Sequence, residues 1–408
     1  MSTLNQNMTQ EDSNVHSASM RSRARQQQML WSLGFASFLV NADNRAITPM
    51  LPAIADLFHT NASDAALLIT AYSIPYGVFQ LVYGPIVDRF GKVKTILISL
   101  SLFSIGTIAC GLIDSFAWLL LLRFITGMFA AGIIPTTLAL IGDQYDISER
   151  PRAIAFFMSL STTGQALGIV IGGLVAQFAS YQLLFLILGL VAFPVLWLLW
   201  QQRKHSAVPS AKPQPLCQRY VTLIKMRRAW LIYMLVFFEG FLFFGGFTFL
   251  GVYGVSVLHL SYLFIGLLTA TYSAGAFLGS RTITKVIEHI GAPRMPIVGS
   301  LLMALGFCLV WGWESIITLT IGFIVLGFGF SYCHSTLQTY ATDLLPQGRA
   351  TAVSVFAFSL FLGSGLGPVA TGNIYDRFGV SVMLGASSVG MLLFGILCLS
   401  LLRVSVRT

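Results

Sequence analysis

Charge is what this sequence has least of. Asp, Glu, Lys and Arg make up 10% of the 408 residues, against about 25% in ordinary soluble domains. With 56% hydrophobic residues and a mean hydropathy of +0.79, so few charges cannot cover the surface of a soluble protein of this size. The composition excludes a cytosolic enzyme, a secreted disulfide scaffold and a disordered chain. Cysteine is scarce too. The five cysteines at 110, 217, 308, 333 and 398 include no pair at metal-ligand spacing. They read as small hydrophobes, and neither a metal nor a redox centre is implied. No Gly-rich phosphate loop and no soluble catalytic signature is present, so the chain is not read as an enzyme and no cofactor is implied.

What is there is apolar sequence in runs of about twenty residues, the length that spans a bilayer core as a helix. A transmembrane barrel needs alternating segments of about ten residues instead. Twelve spans are predicted, at 30–56, 63–84, 94–113, 115–138, 152–178, 180–200, 229–255, 262–286, 294–313, 315–343, 350–374 and 380–403. Residues 1–28, polar and rich in Ser, Gln and Asn, read as a disordered tail. Residues 201–228 form a basic linker with Pro209, Pro213 and Pro215. It separates a six-helix bundle at 29–200 from a second at 229–403, with 404–408 as a short tail.

The net charge of +9 follows the loops and does not call for nucleic acid. With the N-terminus in the cytoplasm, 21 of the 24 Lys and Arg residues fall on the inner side. This bias places both termini in the cytoplasm, in what reads as a bacterial inner membrane. Six plus six spans about a basic linker is the layout of transporters built from repeated halves. A glycine repeat agrees with it. Gly164, Gly168, Gly172 and Gly173 in the fifth span answer to Gly363, Gly367 and their neighbours in the eleventh, a spacing that lets helices approach closely.

The connection after the second span reads Gly84-Pro85-Ile86-Val87-Asp88-Arg89-Phe90-Gly91-Lys92-Val93-Lys94. It resembles the signature loop of the major facilitator superfamily. Arg123-Phe124-Ile125-Thr126-Gly127 is similar to that superfamily's fourth-helix element. The fifth span resembles the antiporter motif of its drug:proton antiporter branch, with Ile169 where the family has proline. The resemblance covers residues 29–403 and implies an all-α fold of twelve membrane helices in two halves, working by alternating access. Asp-Arg-Phe-Gly recurs at 376–379, but after an odd-numbered span. It is read as a turn, and the true counterpart of the signature loop is the degenerate stretch from Gly279 to Gly291.

Charged residues inside a membrane are costly and mark function or pairing. Asp43 lies about 21 Å into the first span at 1.5 Å per residue, near the midplane where transporter sites sit. It is the first candidate for proton coupling. Glu239, ringed by phenylalanines, is the second. Arg123, by its resemblance to the fourth-helix arginine of proton-coupled relatives, is the third. Asn41, Arg45, Tyr72, Tyr76, Gln80, Gln165, His334 and Gln338 are candidates for the substrate cavity, Tyr72, Tyr76 and Gln80 forming one helical stripe. Gly84, Asp88, Arg89, Gly91, Lys92 and Asp143 are candidates for gating. Asp88 is expected near the start of the eleventh span, and Arg89 is expected to pair with Asp143. Gly127, Gly164, Gly168, Gly172, Gly173, Gly363 and Gly367 are candidates for helix packing.

The favoured function is proton-coupled export of small amphipathic molecules, drugs or metabolites, by a monomer whose partners are substrate, protons and lipid. Two acids in an aromatic interior favour a lipophilic cation, Glu239 having no evident cationic partner in its own half. The alternatives are proton-coupled import of an amino acid, nucleoside or organic anion, for which Arg45 and Arg123 supply charge, and a membrane sensor or lipid-handling protein.

Overall fold

A computed structural model describes residues 2–146, 148–203, 216–345 and 348–405, and its elements are helical, with no strand among the described residues. In chain order they are α1 (Ser2–Phe58), α2 (Ala62–Phe90), α3 (Lys92–Cys110), α4 (Phe116–Ala130), α5 (Ile133–Gln144), α6 (Arg150–Phe178) and α7 (Tyr181–Gln202). After the linker come α8 (Leu216–Lys225), α9 (Arg227–Ser256), α10 (Tyr262–Ile290), α11 (Met295–Gly312), α12 (Ile316–Asp343) and α13 (Arg349–Ser405).

The twelve spans are all present, differently divided. α4 and α5 share the fourth. α13 carries the last two, broken at Gly379, where φ is 79°. Among the described residues ten stretches are long and apolar enough to cross a membrane, the longest being Arg349–Ser400 within α13. α1 is not among them, because Asn41, Asp43, Asn44 and Arg45 interrupt its apolar run.

One expectation needs correcting. Residues 2–28 are not irregular: α1 runs back to Ser2, and this segment contains no glycine or proline to stop a helix. The linker carries a helix of its own. Residues 204–215 lie outside the described residues, as do 406–408 of the C-terminal tail, but α8 forms within it. Leu223 of α8 is buried and the Tyr220 hydroxyl donates to the Leu81 carbonyl of α2 at 3.1 Å.

Glycine fixes how the halves are built. A Cβ at Gly164, Gly168 or Gly172 of α6 would strike the backbone of Phe38, Ala42 or Ala46 of α1. A Cβ at Gly363 or Gly367 of α13 would strike Phe237 or Phe241 of α9. Thr371 takes the third place there, and the glycine has moved to its partner, Gly245. Every residue in the second set is 199 positions beyond its equivalent in the first. The two halves are therefore the same packing unit used twice, related by a pseudo-two-fold axis. Gly127 does for α4 and α2 what these do for α6 and α1, meeting the backbone of Tyr72.

The signature loop has its counterpart where the sequence puts it. Gly91 (φ 83°) and Gly291 (φ 81°) both adopt a backbone that only glycine enters freely, and each N–H caps its helix at 2.8 Å, on Val87 and Ile287. These turns lie at one end of the bundle, here the near end. The turns at 59–61, 257–261 and Gly379 lie at the other, the far end.

Candidate functional site

The chemistry sits half-way along α1. Asp43 and Arg123 are both fully buried and face each other from α1 and α4, Nη1 donating to Oδ2 at 2.6 Å. The pair is positioned by the glycine contacts described above: Gly168 holds α6 against Ala42, next to Asp43, and Gly127 holds α4 against Tyr72. The faces of Tyr72 and Phe185 cover the guanidinium at 4.3 and 5.4 Å. Arg123 Nε and Nη2 and Asp43 Oδ1 have no hydrogen-bond partner among the described residues. One strong bond thus carries the pair, leaving it able to rearrange. A charge at mid-bilayer costs about 2.5–3.5 kcal/mol on insertion scales, a cost that the pairing offsets.

The second acid is also engaged, which corrects the expectation that Glu239 lacks a partner in its own half. His334 Nδ1 of α12 lies 3.2 Å from Glu239 Oε2 of α9. The imidazole stacks on Phe330 at 4.8 Å and 10° and touches Phe356 at 5.1 Å. Tyr272 of α10 packs beside them, its ring 5.7 Å from Phe243 and 6.2 Å from Phe330. His334 is therefore a neighbour of the second acid rather than a free cavity residue.

Arg45 differs from the other three charges. It makes no ion pair with Asp43 or any other carboxylate among the described residues. Its guanidinium lies over the ring of Phe244 from the opposite half, 4.6 Å from the centroid. It borders a small central cavity of about 40 Å³ lined from both halves, by α1 and α2 on one side and α9 and α13 on the other.

The tyrosine stripe links these elements. Tyr72 stacks on Tyr76 at 5.9 Å, and Tyr76 meets Phe361 of α13 at 4.3 Å. All three stripe residues are buried, Gln80 included, and Tyr76 carries the contact across the seam between the halves. Asn41 is committed to helix packing, its amide donating to Ser161 of α6 at 2.8 Å. Gln165 is half-buried and Gln338 exposed, and neither side chain has a described partner.

At the near end, Lys92 rather than Arg89 pairs with Asp143. Arg89 instead lies over the Phe90 ring at 5.3 Å. The turn at Gly91 brings α3 back beneath α5, so Lys92, the first residue of α3, reaches Asp143, while Arg89 ends α2 on another face. Asp88 is exposed and makes no described contact with the start of α13; Gly84 is half-buried beside it.

Contacts between the halves gather elsewhere. All four hydrogen bonds described between the two bundles lie from mid-membrane to the far end. Thr70 donates to the Gly365 carbonyl at 2.6 Å, the Tyr262 N–H to Gln177 Oε1 at 3.1 Å, the Tyr262 hydroxyl to Asp56 at 3.2 Å, and Ser63 to Asp376. Gly173 and Gly266 pack backbone to backbone there, a Cβ on Gly173 meeting Gly266 Cα at 2.9 Å. The far end is closed. The second Asp-Arg-Phe-Gly is thus more than a turn, since its aspartate clasps the opposite half. Sequence reasoning missed Asp376, Tyr262 and the cavity wall. Applying the 199-residue repeat to Arg45 would have found Phe244.

Comparison with known proteins agrees with this architecture. A sequence profile described as Major Facilitator Superfamily matches residues 33–267 and 255–408. An uncharacterised MFS-type transporter of Bacillus subtilis, YceJ, is 27% identical over 358 residues, 85% of this chain and 89% of that protein. The multidrug efflux pump LfrA of Mycolicibacterium smegmatis is 29% identical over 165 residues, 40% of this chain and 33% of the pump. Among solved structures, a bacterial homologue of the human lysosomal transporter Spinster, inward-facing and occupied, superimposes with a TM-score of 0.75 at 21% identity, covering 94% and 97% of the two chains. Two glycine-packed six-helix halves, buried charge at their centre and a family profile over nearly the whole length lead to one conclusion: the chain belongs to the Major Facilitator Superfamily and is a membrane transporter, not an enzyme.

Proposed function

We propose that the chain is a proton-coupled exporter of small amphipathic molecules working by alternating access. The observation that carries this reading is the buried Asp43–Arg123 pair. A proton on Asp43 removes the charge that holds Arg123. The guanidinium then loses its one described strong bond and is left against Tyr72 and Phe185. From Tyr72 the contact runs through Tyr76 to Phe361 in the other half. Protonation in the first half is thereby linked to the seam that must open and close, as a shift between two packed states. Glu239, held by His334 at 3.2 Å, is the second candidate for coupling.

The partial likeness to an efflux pump supports outward transport, and the basic near end supports a cytoplasmic placing of both termini. On that placing the closed far end faces outward and the chain opens to the cytoplasm, the side from which an exporter loads. Asp88, Arg89 and their loop would close the near end in the other state. The test is everted membrane vesicles carrying the chain, energised by a pH gradient and challenged with a compound panel. Substrate-dependent release of the gradient, lost in Asp43→Asn, supports the reading. Full gradient-driven flux in that variant would sink it.

A further inference from the structure

We infer that Arg45 is the anion-binding residue of the central cavity, and that the transported molecule joins a carboxylate to an apolar body. This rests on the transport reading above and adds the chemical class of the substrate.

The inference begins from what the other charges are doing. Asp43 and Arg123 hold each other, and Glu239 is held by His334. Arg45 alone of the four mid-membrane charges has neither an ion-pair nor a hydrogen-bond partner among the described residues, whereas Asp43 and Arg123 bond to each other and Glu239 lies against His334. Its five N–H donors, arranged as a planar fork, match the two oxygens of a carboxylate. A cationic substrate would have to approach this guanidinium while both acids are occupied. The charge balance of the cavity therefore favours an anion, contrary to the expectation drawn from the acids alone.

Position makes the same case. The glycine register pairs each residue of α1 with one 199 positions later in α9, and that pairing makes Phe244 the equivalent of Arg45. The two touch, guanidinium over ring, so they lie on the pseudo-two-fold axis, at the place where both halves must release and re-form contact during transport. One half contributes charge and the other an aromatic face. A molecule sitting there meets a cation on one side and a ring on the other.

The cavity wall completes the match. Asn44, Thr48 and Ser73 from the first half and Thr248 and Ser364 from the second line the space beside Arg45. The Asn44 N–H and the Thr48, Ser73 and Thr248 O–H donors can serve the carboxylate lone pairs that a bidentate arginine leaves open, while the Ser364 hydroxyl donates to the Phe361 carbonyl at 3.1 Å. Ile69, Leu360 and Phe361 close the rest of the space with hydrocarbon. About 40 Å³ is room for little more than a carboxylate, so the apolar body must displace the Arg45–Phe244 contact. That is how binding would act on the seam between the halves.

The test uses the full-length protein in lipid nanodiscs and three matched series of probes: 3-phenylpropionate, 3-phenylpropionamide and 3-phenylpropylamine, each with its biphenyl and naphthyl analogues. Binding is read by calorimetry. The carboxylates should bind at least tenfold more tightly than their amides and amines. Arg45→Gln should remove that preference and Arg45→Lys should keep part of it, both variants remaining monodisperse. Tighter binding of amines or amides, no binding by any carboxylate, or unchanged carboxylate affinity in Arg45→Gln would each overturn the assignment. Flux is measured separately in proteoliposomes under a pH gradient. Carboxylate binding without gradient-driven flux refutes the transport reading and leaves the site. Uphill flux of other compounds, unaffected by Arg45→Gln, refutes the site and leaves the transport reading.

Discussion

Arg45 and Phe244 are the same position in two copies of one packing unit, and they meet at the centre of the molecule with 4.6 Å between guanidinium carbon and ring centroid. Around that contact the remaining mid-membrane charge is divided by halves. The first half closes its acid on an arginine, and the second closes its acid on a histidine. Arginine offers its acid a planar fork of N–H donors, whereas histidine offers a single ring nitrogen. The two halves, alike in packing, are unlike in the base each sets against its acid.

Asp43→Asn should abolish uphill transport while the protein still inserts. Breaking a buried pair by removing one partner costs about 3–5 kcal/mol, and the aromatic faces over Arg123 offset part of that. The variant should therefore unfold at a lower temperature yet elute as a single species. Measured counterflow, which needs no net proton movement, should survive. A variant that drives substrate uphill at the normal rate would remove Asp43 from the coupling mechanism.

Glu239→Gln and His334→Gln should have the same consequence. The two side chains share one bond at 3.2 Å, so each substitution removes the same interaction. In a double-mutant cycle on transport rate the second change should add little to the first. Additive losses would show that the two side chains work separately.

The glycine register makes a sharp stability prediction. Gly168→Val places a side chain where Ala42 Cα would be 2.6 Å from the new Cβ. Overpacking of this kind costs about 1–3 kcal/mol, and here it also displaces α1 beside Asp43. The thermal midpoint and transport should fall together. Gly142→Ala meets nothing within 4 Å and should leave both intact. Equal tolerance of the two changes would argue against close packing of α1 on α6.

The sequence carried the spans because each is a hydrophobic run long enough for a bilayer, and it carried the repeat because glycine spacing is local. It carried Asp43 and Arg123 as charges that must either pair or work, because mid-membrane charge is costly wherever it occurs, and the structure pairs them. It could not carry partners. Whether Lys92 or Arg89 meets Asp143 depends on how the chain turns at Gly91. Whether Glu239 is free depends on α12, which lies about ninety-five residues away. The tail at 1–28 read as irregular because its composition is polar, yet α1 extends through it. Polar composition argues against a buried core and says less about whether a helix continues from one already formed.

Asp-Arg-Phe-Gly stands at both ends of the molecule, and the two copies should act in opposite directions. Asp376 accepts from Ser63 across the closed far end, whereas Asp88 at the near end has no described partner in this state. A single exposed hydrogen bond is worth about 1 kcal/mol, about fivefold in a two-state population. Ser63→Ala or Asp376→Asn should therefore shift the chain toward opening at the far end. Asp88→Asn should shift it toward the state seen here, by weakening closure at the near end. Spin labels on the far ends of α2 and α13, with a second pair at their near ends, measure both. In the Asp376 variant the far-end distance should lengthen and the near-end distance shorten, and the Asp88 variant should show the reverse. If both variants move the populations the same way, the repeated tetrapeptide is not a pair of opposed latches, and the Ser63 contact is only a local turn interaction.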